Sequence, residues 1–222
     1  MRFRKLNIVL PGILSVFLLG TYAGKTSIPV PGLSPYYMSI TQWEEGVFER
    51  AQQKHLDFAE SYNNEMRENI SRIISQYRNG LDKKYAPRVA NWIVIESRKY
   101  GYDPLFLTAL IMAESSFNNR ARSHRGAMGL MQIKPGTARA IAGEAQVKWR
   151  GVPTLFDPDS NITLGTYYLN KLVMRFGDLS LALEAYNHGP SQLTRYLKKG
   201  YRPKRYSEKI FTIYKKLRAQ LI

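Results

Sequence analysis

Apolar side chains recur at steps of three and four along most of this chain, and sustained alternation of apolar and polar positions is weak throughout. That periodicity predicts an all-α protein. Arg2, Arg4 and Lys5 precede an uncharged stretch from Leu6 to Gly24, so residues 1–24 read as an export or membrane segment. Small residues at Thr21-Tyr22-Ala23 suit a signal peptidase, yet the stretch is also just long enough to cross a bilayer; removal and retention both remain open. Residues 25–38, rich in proline and glycine, read as an extended linker. In residues 39–80 a cap at Ser39 or Thr41 opens a long amphipathic helix to about Tyr77. Its stripe runs through Trp43, Val47, Ala51, Phe58, Tyr62, Met66, Ile70, Ile73 and Tyr77. The stripe is irregular for a heptad, which favours packing on the following domain over a coiled-coil arm or an envelope-protein partner along residues 41–77.

Residues 81–222 read as one helical domain, punctuated by proline at helix starts and glycine at helix ends. Helices are expected from Pro87 to Tyr100, from Pro104 to Ser115 behind the cap Asp103, and from Pro135 to Ala142. Behind the cap Asp157 another runs to about Phe176, followed by Leu179 to Tyr186, one opened by Pro190 and closed by Gly200, and a basic amphipathic helix from Tyr206 to Leu221. One of them is unusual. Pro104 to Ser115 reads PLFLTALIMAES, with no polar face and one ionisable group, Glu114. A helix apolar all round is enclosed by its domain. A carboxylate enclosed with it is costly to ionise, holds its proton near neutral pH and suits general-acid chemistry. The plainer reading is a last-turn residue that points into water.

Composition narrows the chemistry. The chain lacks cysteine, which removes disulfides and thiolate ligands, and its three histidines, His55, His124 and His188, are scattered, so neither a metal nor a cofactor is expected. The net charge of +16 lies mostly in residues 81–222, which hold 24 basic and 10 acidic side chains. That excess favours an anionic partner without choosing among wall polymer, lipid headgroups and nucleic acid. An export segment argues against nucleic acid.

After Glu114, the chain carries Ser123, the small-residue run Gly126-Ala127-Met128-Gly129, and Leu130-Met131-Gln132-Ile133, which sets an amide beside apolar neighbours as an acetamido sugar requires. Glycine at 126 and 129 permits positive φ or close approach of a ligand. Glu114-Ser115-Ser116-Phe117, Gly126 to Ile133 and Ala185-Tyr186-Asn187-His188-Gly189 together resemble the three ordered motifs of soluble-lytic-transglycosylase-type domains, which have a lysozyme-like fold. The resemblance covers about Ala90 to Ile222. It implies a periplasmic, membrane-associated enzyme that cleaves the N-acetylmuramic acid to N-acetylglucosamine bond of peptidoglycan strands and leaves a 1,6-anhydromuramyl product. It also implies Glu114 as acid and then base, Ser123 and Gln132 as sugar contacts, Tyr186 against Glu114, and Asn187 at the substrate or securing its loop. Hydrolysis of the same bond and non-catalytic wall binding are the alternatives. Most glycosidases need a second carboxylate, and Glu144, Asp157, Asp159 and Glu184 are the candidates. Lys134 and His188 depart from the family pattern, where methionine and alanine are common.

Overall fold

The computed structural model describes residues 35–221, with side chains from residue 46 onward. The expected export segment and most of the linker lie outside the described residues. Among those described the protein is all-α, with eight α-helices and two 3-10 turns, Lys83–Tyr85 and Val152–Phe156. In chain order the helices are α1 (Pro35–Tyr77), α2 (Ala86–Lys99), α3 (Pro104–Ser115), α4 (Pro135–Ile141), α5 (Pro158–Phe176), α6 (Leu179–His188), α7 (Pro190–Lys198) and α8 (Arg205–Ala219). Among the described residues extended pairing is limited to two isolated bridges, Arg122 with Met128 and Met128 with Ile133. The helix expected from Ser39 or Thr41 begins earlier, at Pro35, a residue whose fixed φ suits a first helical position.

The chain divides into two units, Met1–His55 and Leu56–Ile222. In the first, Val47 and Phe48 are exposed. In the second, the stripe of α1 divides: Met66, Ile70, Ile73 and Ile74 are buried, whereas Phe58, Tyr62 and Tyr77 are exposed. Within this unit, packing covers the part of the stripe from Met66 to Ile74. No helix among the described residues is long and apolar enough to cross a membrane.

At the centre of the second unit is α3. Every residue from Pro104 to Ile111 is buried, and Leu107, Ala109, Leu110 and Ile111 are fully enclosed. Each large aliphatic side chain so enclosed contributes on the order of 1.5–3 kcal/mol over exposure, so the helix is held by its whole circumference rather than by one face. Its neighbours are chiefly α8 and α2, while α5 packs on α2 and α6, and α6 on α8. The cap-and-proline device works as the spacing predicts. Asp103 Oδ1 accepts from Leu105 N at 2.8 Å and Asp157 Oδ2 from Ser160 N at 3.0 Å; Asp178, which no proline follows, also acts as a cap, its Oδ1 accepting from Leu181 N at 2.8 Å.

The far end of α3 stops abruptly. Ser116 and Phe117 both take positive φ, 49° and 60°, which is unfavourable for a bulky aromatic residue. Full burial of Phe117 and a hydrogen bond from Asn79 N to Ser116 O at 2.8 Å offset that strain. The chain thus turns directly after Glu114, which leaves the acid in the last turn of an enclosed helix.

Asp103 is a double anchor, because its Oδ2 also accepts from Tyr214 Oη of α8 at 2.5 Å. Asp103→Ala removes the cap of α3 and this tie together. Chemical denaturation should show a loss of about 1–2 kcal/mol, the range for a cap residue.

Candidate active site

A cleft of about 590 Å³ lies against Glu114 and is lined also by Ser123, Gln132, Tyr186 and Asn187, so all five residues singled out from the sequence border one cavity. Glu114 is half-buried and, among the described residues, supplies the only carboxyl group on the lining. His124, Arg125, Lys134 and His188 line it too, which gives the rim a basic character.

Glu114 and Tyr206 share a short hydrogen bond, in which the phenol of α8 donates to Oε1. Lys209, one turn further along α8, donates to Ala113 O at 3.4 Å. Burial pushes the Glu114 carboxyl above its ordinary range, against opposing pulls from the Tyr206 hydrogen bond and the charge of Lys209. The carbonyl end of α3 acts in the same direction as burial. Tyr206 is itself raised far above an ordinary phenol, first by burial and then by Glu114, so it remains a donor. Neither Tyr206 nor Lys209 was foreseen from the sequence. Both sit on a basic helix outside the three motifs, and nothing in local spacing links them to Glu114.

Tyr186 lies near Glu114, as expected, but is not hydrogen-bonded to it. It borders the same cleft, but its hydroxyl donates to Met131 O at 2.7 Å, and its ring leans on Tyr168 with centroids 5.4 Å apart. Burial, and after it the nearby charge of Glu114, raises its pKa well above the ordinary value. The hydroxyl that reaches Glu114 belongs to Tyr206. Tyr186 instead fixes the backbone of the loop opposite.

That loop is tightly held. Asn161 on α5 is fully buried; its Nδ2 donates to Met128 O at 3.0 Å and Leu155 O at 2.9 Å, and its Oδ1 accepts from Met131 N at 2.7 Å. Gly129, at φ +80°, makes this possible, since a Cβ there would lie 2.1 Å from Leu155 O and 2.2 Å from Asn161 Nδ2. The close approach at this glycine is to the protein's own backbone and to Asn161. Gly165 of α5 admits Met131 in the same way, with Sδ 2.5 Å from where a Cβ would stand. Gln132 follows in a left-handed conformation, φ 49°, and its Nε2 donates to Gly129 O at 2.8 Å. That bond uses one amide hydrogen to hold the loop and leaves the side chain on the cleft wall. Ser123 sits at the exposed rim, where its Oγ accepts from Ala127 N at 2.9 Å, and Asn187 is exposed at the end of α6.

The four possible second carboxylates are engaged elsewhere. Glu144 pairs with Lys171 at 2.8 Å and accepts from Tyr167; Asp157 caps α5; Asp159 accepts from Arg88 at 2.5 Å. Glu184 is fully buried and its Oε1 accepts from Ser207 N at 2.8 Å and Ser207 Oγ at 3.0 Å. It therefore anchors the first turn of α8, one residue from Tyr206. His188 Nε2 lies 3.5 Å from Glu184 Oε2, which ties this departure from the family pattern to the same anchor.

The transglycosylase SLT domain profile matches residues 91–209. Over 123 residues, 54% of this chain, the sequence is 42% identical to membrane-bound lytic murein transglycosylase C of Cronobacter sakazakii. Over 96 residues it is 38% identical to a transglycosylase of Enterobacteria phage PRD1. In both cases the match spans a third of the relative's length. The 70-kDa soluble lytic transglycosylase of Escherichia coli shares the fold, with a TM-score of 0.51 at 23% identity over 63% of this chain and 27% of that one.

Two outcomes are expected. Tyr206→Phe removes a bond that favours the ionised acid, so the Glu114 pKa should rise further, read as an upward shift of its carboxyl carbon titration by NMR. Asn161→Ala strands three buried backbone groups and should lower stability by about 3 kcal/mol or more in chemical denaturation.

Proposed function

This chain belongs to the transglycosylase SLT domain family, and we propose that it is a lytic transglycosylase of bacterial peptidoglycan in which Glu114 acts first as acid and then as base. The observation that carries this reading is the solitary acid. Among the described residues the cleft offers one carboxyl group, half-buried and biased toward its protonated form, with no second carboxylate on the lining. A glycosidase that activates water or forms a glycosyl ester uses a pair of carboxylates. A reaction in which the substrate supplies its own nucleophile needs one.

In that reaction Glu114 donates its proton to the oxygen between N-acetylmuramic acid and the following N-acetylglucosamine, and the bond from that oxygen to the muramyl anomeric carbon breaks. The positive charge that develops at the anomeric carbon is shared with the neighbouring acetamido oxygen. The muramyl 6-hydroxyl oxygen then bonds to the anomeric carbon, and its proton returns to the Glu114 carboxylate. The acid is regenerated, and no water is consumed. Tyr206 keeps the carboxyl oriented and moderates its affinity for the proton, as a group that must both give and take one requires. Gln132 and Ser123 meet the sugar from the loop, Asn187 from the end of α6, and Tyr186 holds the loop in register through Met131.

The names of the relatives and the basic rim fit an enzyme of the cell envelope acting on an anionic wall polymer. An uncharged stretch at residues 6–24 behind three basic residues fits export and attachment to the membrane, with the domain on the periplasmic side.

Glu114→Gln should abolish release of soluble muropeptides from purified sacculi. Mass spectrometry of the wild-type products should give anhydromuropeptides, each lighter by one water than the hydrolysis product. Hydrolytic masses would identify a lysozyme-type enzyme, and persistent turnover by folded Glu114→Gln would remove Glu114 from the reaction. Stability supplies a second readout. The folded-state pKa is raised, so the folded protein binds the Glu114 proton more tightly than the unfolded chain does. Stability from this group is complete below the unfolded pKa and declines as pH rises through the folded one. Near neutral pH, Glu114→Gln should therefore melt no lower than wild type while losing turnover.

A further inference from the structure

A second cavity, of about 730 Å³, shares no lining residue with the first. Trp92 and Glu96 of α2 line it together with the segment that follows α4, including Lys148 and Arg150, and with Thr163 of α5. Glu96 is only 3% exposed. Its Oε1 accepts from Thr163 Oγ1 at 3.0 Å, whereas its Oε2 is buried with no hydrogen-bond partner. A buried carboxylate oxygen left unpaired is costly, and the lytic site makes no use of it.

The lining says what sort of molecule relieves that cost. Trp92 is half-buried, stands one helical turn from Glu96, and presents an aromatic surface of the kind that carries the apolar face of a sugar ring. Lys99, Lys148 and Arg150 are exposed, and among the described residues none of them takes part in a salt bridge. The acidic members Asp157 and Asp159 are already committed, one as the cap of α5 and the other to Arg88. A bare ammonium ligand would suit Glu96 but meet three cations. A ligand with hydroxyl or amide donors for Glu96, a flat ring for Trp92 and carboxylates for the rim satisfies every group.

We infer that this cleft is a second, non-catalytic binding site for peptide-bearing wall glycan, which engages a saccharide through Trp92 and Glu96 and stem-peptide carboxylates through Lys148 and Arg150. The inference rests on the reading of the chain as a peptidoglycan enzyme. A polymer held at two places is released from the lytic cleft without being lost, which raises its effective concentration there.

Calorimetric titration of the full chain carrying Glu114→Gln tests this, with a purified disaccharide-tetrapeptide as probe and chitotetraose as its uncharged counterpart. Two binding events are expected for the disaccharide-tetrapeptide. Adding Lys148→Glu and Arg150→Glu, both at exposed positions, should abolish one of them. Adding Glu96→Gln instead, which preserves the side-chain shape, should weaken that same event by about tenfold, the scale of one hydrogen bond to a charged group. Chitotetraose should bind the second cleft more weakly than the peptide-bearing probe does. A single event in the parent chain, or two events that survive both sets of substitutions, overturns the inference and leaves the lytic reading intact. No binding at either cleft overturns both. Two events in a chain whose wild-type form releases no anhydro product would leave this inference standing and remove the lytic one.

Discussion

The enclosure of one carboxyl group where α3 meets α8 is the constraint on which the rest of this structure depends. Water withdrawn from Glu114 raises the cost of its charge, while Tyr206 and Lys209 lower it again. Neither influence alone suits the group that the proposed reaction calls for, one that releases a proton and recovers it. Burial without Tyr206 gives an acid reluctant to let go, and the same hydrogen bond in open water gives a carboxylate with no proton to offer. The helix that carries Glu114 is correspondingly apolar around its whole circumference, because a water-facing side would undo the balance.

Rigidity opposite the acid has a separate origin. The loop from Met128 to Gln132 has almost no regular secondary structure, yet its backbone is bonded by one buried asparagine, by the hydroxyl of Tyr186 and by its own Gln132 amide. Gly129 lets Asn161 approach, and Gly165 admits the Met131 side chain, at distances no side chain would permit. Residues that look like ligand contacts in sequence thus do double duty. Gln132 and Tyr186 border the cleft and also brace the wall they belong to, so substituting either one changes the shape of the site as well as its contacts.

Much of the scaffold was legible in the sequence. Asp103-Pro104 and Asp157-Pro158 marked helix starts because a cap and a fixed φ act locally. The buried character of Pro104 to Ser115 followed from the lack of any polar face. What stayed hidden acts through space. Tyr206 lies 92 residues from Glu114 in the chain, and the periodicity of α8 describes a basic amphipathic helix without saying which tyrosine faces an acid. The buried roles of Asn161, Glu96 and Glu184 were equally invisible, since each looks like an ordinary polar residue in an amphipathic helix and is buried only by what packs over it. In the part of α1 that belongs to the second unit, the periodic stripe promised more packing than the described residues show, because apolar spacing records capacity to be covered and not the presence of a cover. Phe58 and Tyr62 are exposed for that reason.

The anchoring of α8 by Glu184 carries a consequence for the order in which the site matures. Ribosomes deliver Glu114, the bracing loop and the Ala185 to Gly189 run before Arg205, and the contact that joins Tyr206 to Glu114 spans 92 residues of sequence. A pairing that distant closes a long loop, at a greater entropic cost than the local turns of a helix. A nascent or truncated polypeptide ending ahead of α8 therefore displays all three family signatures and yet holds an acid without its phenol. Possession of the motifs and possession of the Glu114–Tyr206 pair are separate events in the life of the chain.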